Sequence, residues 1–148
     1  MRVALTLAKQ AARLGEVPIG AIVLFEGKVV GRGFNLRETE GISLRHAELI
    51  AIEEACRSLG SWRLTECELF VTLEPCLMCA GGIYQSRMRR VIFGASDPKG
   101  GATGSLYEIH RDVRLNHRFF VTPGVLSGEC AQLLKDFFAM RSESNFKN

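Results

Sequence analysis

His46 and Glu48 in the run RHAELIA, together with Cys76 and Cys79 in LEPCLMCAGG, are side chains that one metal ion could gather. An i, i+3 cysteine pair on the first turn of a helix projects both sulfurs to one side, and the positive helix end favours the thiolate that binds metal. A lone Cys-x-x-Cys also serves as a redox motif or as half of a structural zinc site. No second Cys-x-x-Cys and no His-x-x-x-His pair completes a closed site, whereas His46 stands upstream at the start of another helical stretch. Three ligands would leave one metal position open. Glu48 lies about 200° round an ideal helix from His46, so the two converge only if that helix meets the ion end-on through its N-terminus. Glu48 then need not be a ligand and can carry protons beside an activated water.

Each residue also has a plainer reading, the histidine as a cap or core residue and the glutamate as a partner of the helix dipole. Together, His46-Ala47-Glu48 and Pro75-Cys76-Leu77-Met78-Cys79 match the H-x-E…P-C-x-x-C signature established for zinc-dependent nucleobase deaminases. The match implies zinc on His46, Cys76 and Cys79, hydroxide attack on an amine-bearing ring carbon, and Glu48 returning protons to the ring nitrogen and the leaving ammonia.

Several elements must position these residues. Val3, Leu7, Ala11 and Leu14 recur at helical spacing and Gly15 is placed to end that helix. Ile19 to Phe25, the turn Glu26-Gly27-Lys28 and Val29 to Phe34 read as a hairpin. The polar segment Arg37 to Ser43 reads as a loop, and Arg45 to Leu59 as a helix with Ser43 as candidate cap. Glu68 to Leu73 reads as a buried strand, and Pro75 can open a helix through Tyr84 or Ser86. Val91 to Gly94 and Phe119 to Thr122 are further strands, with a glycine-rich irregular segment from Asp97 to Ser105 between them and a closing helix from Gly128 to Arg141. Strands joined by helical crossovers imply a partly parallel sheet with helices on both faces.

Composition bounds the function without choosing it. Residues 1–148, 47% hydrophobic and 24% charged, read as one globular domain and exclude a disordered chain. The net charge of +3 suits a polyanionic partner without requiring one. Five cysteines in no paired framework, and an N-terminal run broken by charges, predict a reducing cytoplasmic home, and no apolar run is long enough for a membrane span.

From about Ala4 to Arg141 the chain resembles bacterial tRNA-specific adenosine deaminases of the TadA type. Beyond the zinc signature, the resemblance is carried by Glu16-Val17-Pro18-Ile19-Gly20, Gly33-Phe34-Asn35, Thr72-Leu73-Glu74-Pro75-Cys76, Val91-Ile92-Phe93-Gly94-Ala95, Leu115-Asn116-His117-Arg118 and Asp136-Phe137-Phe138. It implies a three-layer α/β/α cytidine deaminase-like fold with a central mixed sheet of about five strands. It further implies a zinc ion in each chain of a homodimer, and conversion of the wobble adenosine of an arginine tRNA anticodon to inosine. Residue by residue, Asn35 would hydrogen-bond the flipped base and Val17 and Pro18 would help wall the pocket. Asp97, Lys99, Phe137 and Arg141 would meet flanking nucleotides, by phosphate pairing, 2′-hydroxyl bonding and stacking.

The adjacent aromatics Phe137 and Phe138 point about 100° apart on a helix, so at least one of them is expected in the core. Arg87, Arg89 and Arg90 either meet phosphate or solvate a turn. His110, His117, Cys56, Cys67 and Cys130 read as packing residues. A deaminase of a free base, cytosine or guanine, is the nearest rival. A non-catalytic zinc module that binds RNA is the more distant one, disfavoured by Glu48.

Overall fold

The protein is described over residues 1–146 by a computed structural model. β1 (Gly20–Phe25) and β2 (Lys28–Phe34) form an antiparallel hairpin. Its turn residues Glu26 and Gly27 have φ of 50° and 75°, the doubly left-handed turn whose twist matches that of paired strands. β3 (Cys67–Leu73) joins β1 antiparallel, and β4 (Arg90–Ala95) and β5 (Phe120–Thr122) continue in parallel, giving the order β2-β1-β3-β4-β5. The sheet is therefore mixed, as expected from the crossovers.

Strand alternation assigns the two faces. Ala21, Val23, Leu69, Val71, Val91 and Phe93 share a face with Ala47, Ala51 and Ala55 of α3 (Ala47–Leu59), and with Ile83 of α4 (Leu77–Gln85). The opposite face carries α1 (Arg2–Arg13) and, with Cys130 against Gly94, α5 (Ser127–Asn145). Helices on both faces make the three-layer arrangement anticipated above. Among the described residues, no helix is long and apolar enough to cross a membrane.

α3 lies almost backbone to backbone on β2. A Cβ on Gly33 would sit 2.2 Å from the Ala47 carbonyl oxygen, and one on Gly31 would sit 2.1 Å from that of Ala51. Gly33→Ala must therefore push the N-terminus of α3 outward, which overpacking data put at about 1–3 kcal/mol. On α4, by contrast, a Cβ on Gly81 meets nothing within 4 Å, so Gly81→Ala should stabilise by roughly 0.5–1 kcal/mol through helix propensity. Thermal unfolding of the two variants should shift in opposite directions.

The polar segment read as a loop contains a one-turn helix, α2 (Arg37–Glu40), instead. It buries none of its own residues, so no apolar periodicity marks it. It is held from outside by Glu16, whose Oε1 accepts the Thr39 N–H at 2.6 Å. Ser43 does not cap α3. His46 occupies the N-cap position with an extended backbone, and its side chain makes no capping bond. α5 runs on to Asn145, past the predicted end at Arg141.

Candidate metal centre and base pocket

β2 runs parallel to β3 and β4, because each of β2 and β3 is antiparallel to β1. The C-terminal ends of these three strands consequently share one edge of the sheet, the usual place for a crevice in α/β folds. Asn35 follows β2, Glu74 and Cys76 follow β3, and Asp97 follows β4. Val17 and Ile19 approach the same edge just before β1.

Two helix N-termini converge there. His46 occupies the N-cap position of α3 and Cys76 that of α4, both in extended backbone, while Cys79 lies on the first turn of α4. His46 precedes the helix proper, where the ideal-helix angle to Glu48 does not apply, and the two residues line one cavity. The His46 Nδ1 lies 3.7 Å from the Cys76 Sγ and 3.5 Å from the Cys79 Sγ. Ligand atoms of all three residues fall within 4.8 Å of one another, close enough to hold a metal ion.

Protons are shared unevenly in this group. The Cys76 thiol is held down to about 4, first by its hydrogen bond with Cys79 and then by His46. The Cys79 thiol is pushed up by sharing its proton with Cys76 and by burial. His46 is raised, chiefly through its hydrogen bond to Cys76, and Glu48 is raised by burial. A metal must displace the Cys79 proton and find His46 neutral at Nδ1, so uptake releases protons. Acid competes with metal, and the apparent affinity should fall about tenfold per pH unit for each displaced proton. Metal titration at two pH values in weak buffer, with proton release followed, checks both sign and slope.

A cavity of 180 Å³ opens beside the cluster, lined by Val17, Asn35, His46, Glu48, Cys76 and Asp97 among others. It is smaller than the roughly 300–1,000 Å³ of clefts that enclose drug-sized ligands, so it takes a ring and leaves the remainder of a larger substrate outside. Pro18 is fully buried behind this wall and is not part of the lining. Lys99, Phe137 and Arg141 also lie outside it. Lys99 is exposed, in a turn whose backbone N–H bonds to the Asp97 Oδ1 at 3.0 Å, and the Arg141 guanidinium lies 5.5 Å over the Phe137 ring on α5. Contrary to expectation, neither Phe137 nor Phe138 enters a core cluster, because α5 fully buries only Cys130 and the two rings pack on each other.

Residues 1–142 match the sequence profile of MafB19-like deaminases. The chain belongs to this deaminase family. It is 50% identical over 138 residues to the tRNA-specific adenosine deaminase of Bacillus subtilis (strain 168), covering 93% of this chain and 86% of the relative. A solved structure from a study of A-to-I editing by tRNA:A34 deaminases at the wobble position superposes with a TM-score of 0.86 at 40% identity, covering 90% of this chain and 96% of that one. The guanine deaminase of Bacillus subtilis is more distant, with a TM-score of 0.61 and 36% identity over 64% of this chain and 61% of its own.

Two residues of this MafB19-like deaminase went unassigned by sequence. Glu74, to which the motif Thr72-Leu73-Glu74-Pro75-Cys76 gives no role, is buried and accepts four hydrogen bonds from residues 97–105. Arg37 lines the cavity from the first turn of α2, a helix invisible to periodicity. Arg90 bonds to the Thr122 hydroxyl and Arg87 folds back on the Tyr84 carbonyl, so those arginines serve local structure, while Arg89 is exposed. His117 bonds to the Met88 carbonyl, and Cys67 and Cys130 are buried core residues, in keeping with their packing readings.

Proposed function

We propose that this chain hydrolytically deaminates the wobble adenosine of a tRNA anticodon loop, that of an arginine tRNA first, to inosine and ammonia. The observation that carries this reading is the His46, Cys76 and Cys79 group opening onto a ring-sized cavity with a buried carboxylate at its wall. Near-full-length similarity to tRNA-specific adenosine deaminases supports the choice of substrate.

Zinc suits the donor set. Tetrahedral bonds of about 2.3 Å to sulfur and about 2.0–2.1 Å to nitrogen require N···S separations of about 3.6 Å. The observed 3.7 and 3.5 Å agree. A zinc ion with three protein ligands keeps one position open and supplies the Lewis acidity that makes water a nucleophile near neutral pH. The carboxylate of Glu48 takes a proton from the attacking water and passes it to the purine ring nitrogen, then carries the second proton, from the new carbon-bound hydroxyl, to the amine as the C–N bond breaks and ammonia departs.

Asn35 orients the base. Its Nδ2 donates to the Val17 carbonyl at 3.3 Å and its Oδ1 accepts the Arg37 N–H at 3.2 Å. One amide hydrogen and one lone pair remain for a base edge. Val17 supplies an apolar wall, with Pro18 buried as its support. Flanking nucleotides remain outside the cavity, where Asp97 at its wall and Lys99, Phe137 and Arg141 beyond it offer hydrogen-bonding, charge and a stacking surface. An anticodon loop is an economical target because its bases are already unpaired. We place the enzyme in the cytoplasm as a homodimer, by the same resemblance.

The test is inosine or ammonia formation by zinc-loaded protein on an arginine anticodon stem-loop, against free adenine, cytosine and guanine. Turnover of the stem-loop alone is the expected result. Turnover of a free base alone would keep the zinc chemistry and replace the substrate, and no turnover by zinc-bound protein would leave an RNA-binding module.

A further inference from the structure

We infer that Glu74 is a positioning residue that presets residues 97–105, the segment that carries Asp97 into the wall of the pocket. The inference deepens the proposed deamination and rests on it for the identity of the substrate. Glu74 is 2% exposed at the end of β3. Its Oε1 accepts the Asp97 N–H at 3.1 Å and the Ser105 hydroxyl at 2.5 Å. Its Oε2 accepts the N–H groups of Thr103 at 3.2 Å and Ser105 at 3.1 Å. A carboxylate offers about four lone-pair sites, so its acceptor capacity is taken up by this one segment.

The clamp grips both ends of a stretch that contains three glycines, Gly100, Gly101 and Gly104, and would otherwise sample many conformations. A Cβ on Gly101 would lie 2.1 Å from the Glu74 Oε2, so the backbone rests directly on the carboxylate and only glycine fits there. The same stretch is stitched to the strand leading into α4, through the Ala102 N–H to the Pro75 carbonyl at 2.9 Å and a bridge between Cys76 and Gly101. Asp97, at the front of the clamp, lines the cavity and turns the chain by accepting the N–H groups of Lys99 and Gly100. One buried carboxylate thus ties the wall that meets substrate to the element that carries two metal ligands. With the wall already ordered, substrate does not have to order it on binding.

Glu74→Gln tests this, because the amide keeps the shape but turns N–H donors toward a set that is all donors. Kinetics are read on the substrate the unaltered protein turns over, alongside zinc content and amide hydrogen exchange. Expected are faster exchange across residues 97–105, KM raised by roughly ten- to hundredfold, full zinc, and kcat changed far less. Ser105→Ala, which removes one donor, should raise KM in the same direction by less. Should Glu74→Gln fail to fold, Gly101→Ala displaces the same wall and carries the test. A lowered melting temperature with KM and exchange unchanged overturns the inference, as does a collapse of kcat together with zinc loss. If the unaltered protein turns over only a free base, the proposed substrate falls, while the KM ratio on that base still decides the role of Glu74. If it turns over nothing, the exchange decides, and unchanged exchange refutes the clamp.

Discussion

Glu48→Gln is expected to lower kcat on the anticodon stem-loop by about 10²–10⁴-fold, the range typical of losing a general acid–base, with zinc content unchanged. Glu48 lines the cavity and is 4% exposed, yet it stands outside the three-residue group that can hold the ion. On the proposed mechanism its loss would remove the proton carrier and spare the ligands. Stability should move the other way. Burial raises the carboxyl of Glu48 above its ordinary value, so stability is lost as pH climbs from the ordinary carboxylate value through the raised one, and the cost is complete above it. Glutamine removes the charge, and the melting temperature at neutral pH should hold or rise, most visibly after chelation, when no cation offsets the carboxylate. Single-turnover kinetics, metal analysis and thermal unfolding on one preparation separate the effects. Loss of zinc would make Glu48 a ligand, and near-normal kcat would require another proton carrier.

The parts that were legible in the sequence are those whose chemistry is local. The hairpin could be placed because Glu26-Gly27 signals its turn within two apolar runs, and α4 because Pro75 precedes its first turn. His46, Cys76 and Cys79 could be grouped because metal ligation restricts residue type as well as spacing. Cap preference misled at α3, where Ser43 has the better capping side chain but the His46 side chain is turned toward the sulfurs instead. Glu74 was beyond reach for another reason. Its donors lie 23 to 31 positions downstream in an irregular segment, so nothing near it in the chain reports that four hydrogen bonds converge on it. α2 escaped because a helix that buries nothing leaves no apolar pattern, and Arg37 was missed with it.

Cys79→Ser should abolish tight zinc binding and, with it, all deamination above background. Cys79 is fully buried on the first turn of α4, and its Sγ lies 3.5 Å from the His46 Nδ1. Serine offers a shorter, harder oxygen that suits zinc poorly at a site built around thiolate. Only two of the three ligands would remain. An ion held by His46, Cys76 and Cys79 would tie the ends of α3 and α4 together, so binding to the folded state alone would stabilise it, by about 4 kcal/mol when zinc exceeds its dissociation constant a thousandfold. A chelator should therefore lower the melting temperature of the unaltered protein and leave that of Cys79→Ser almost unmoved. Cys130→Ser is the matched control. Cys130 is equally buried but packs beneath Gly94 on the opposite face of the sheet, so its loss should destabilise the fold while leaving zinc content and the chelator response intact. Retention of a full zinc complement by Cys79→Ser would move the metal away from these helix ends and take the proposed chemistry with it.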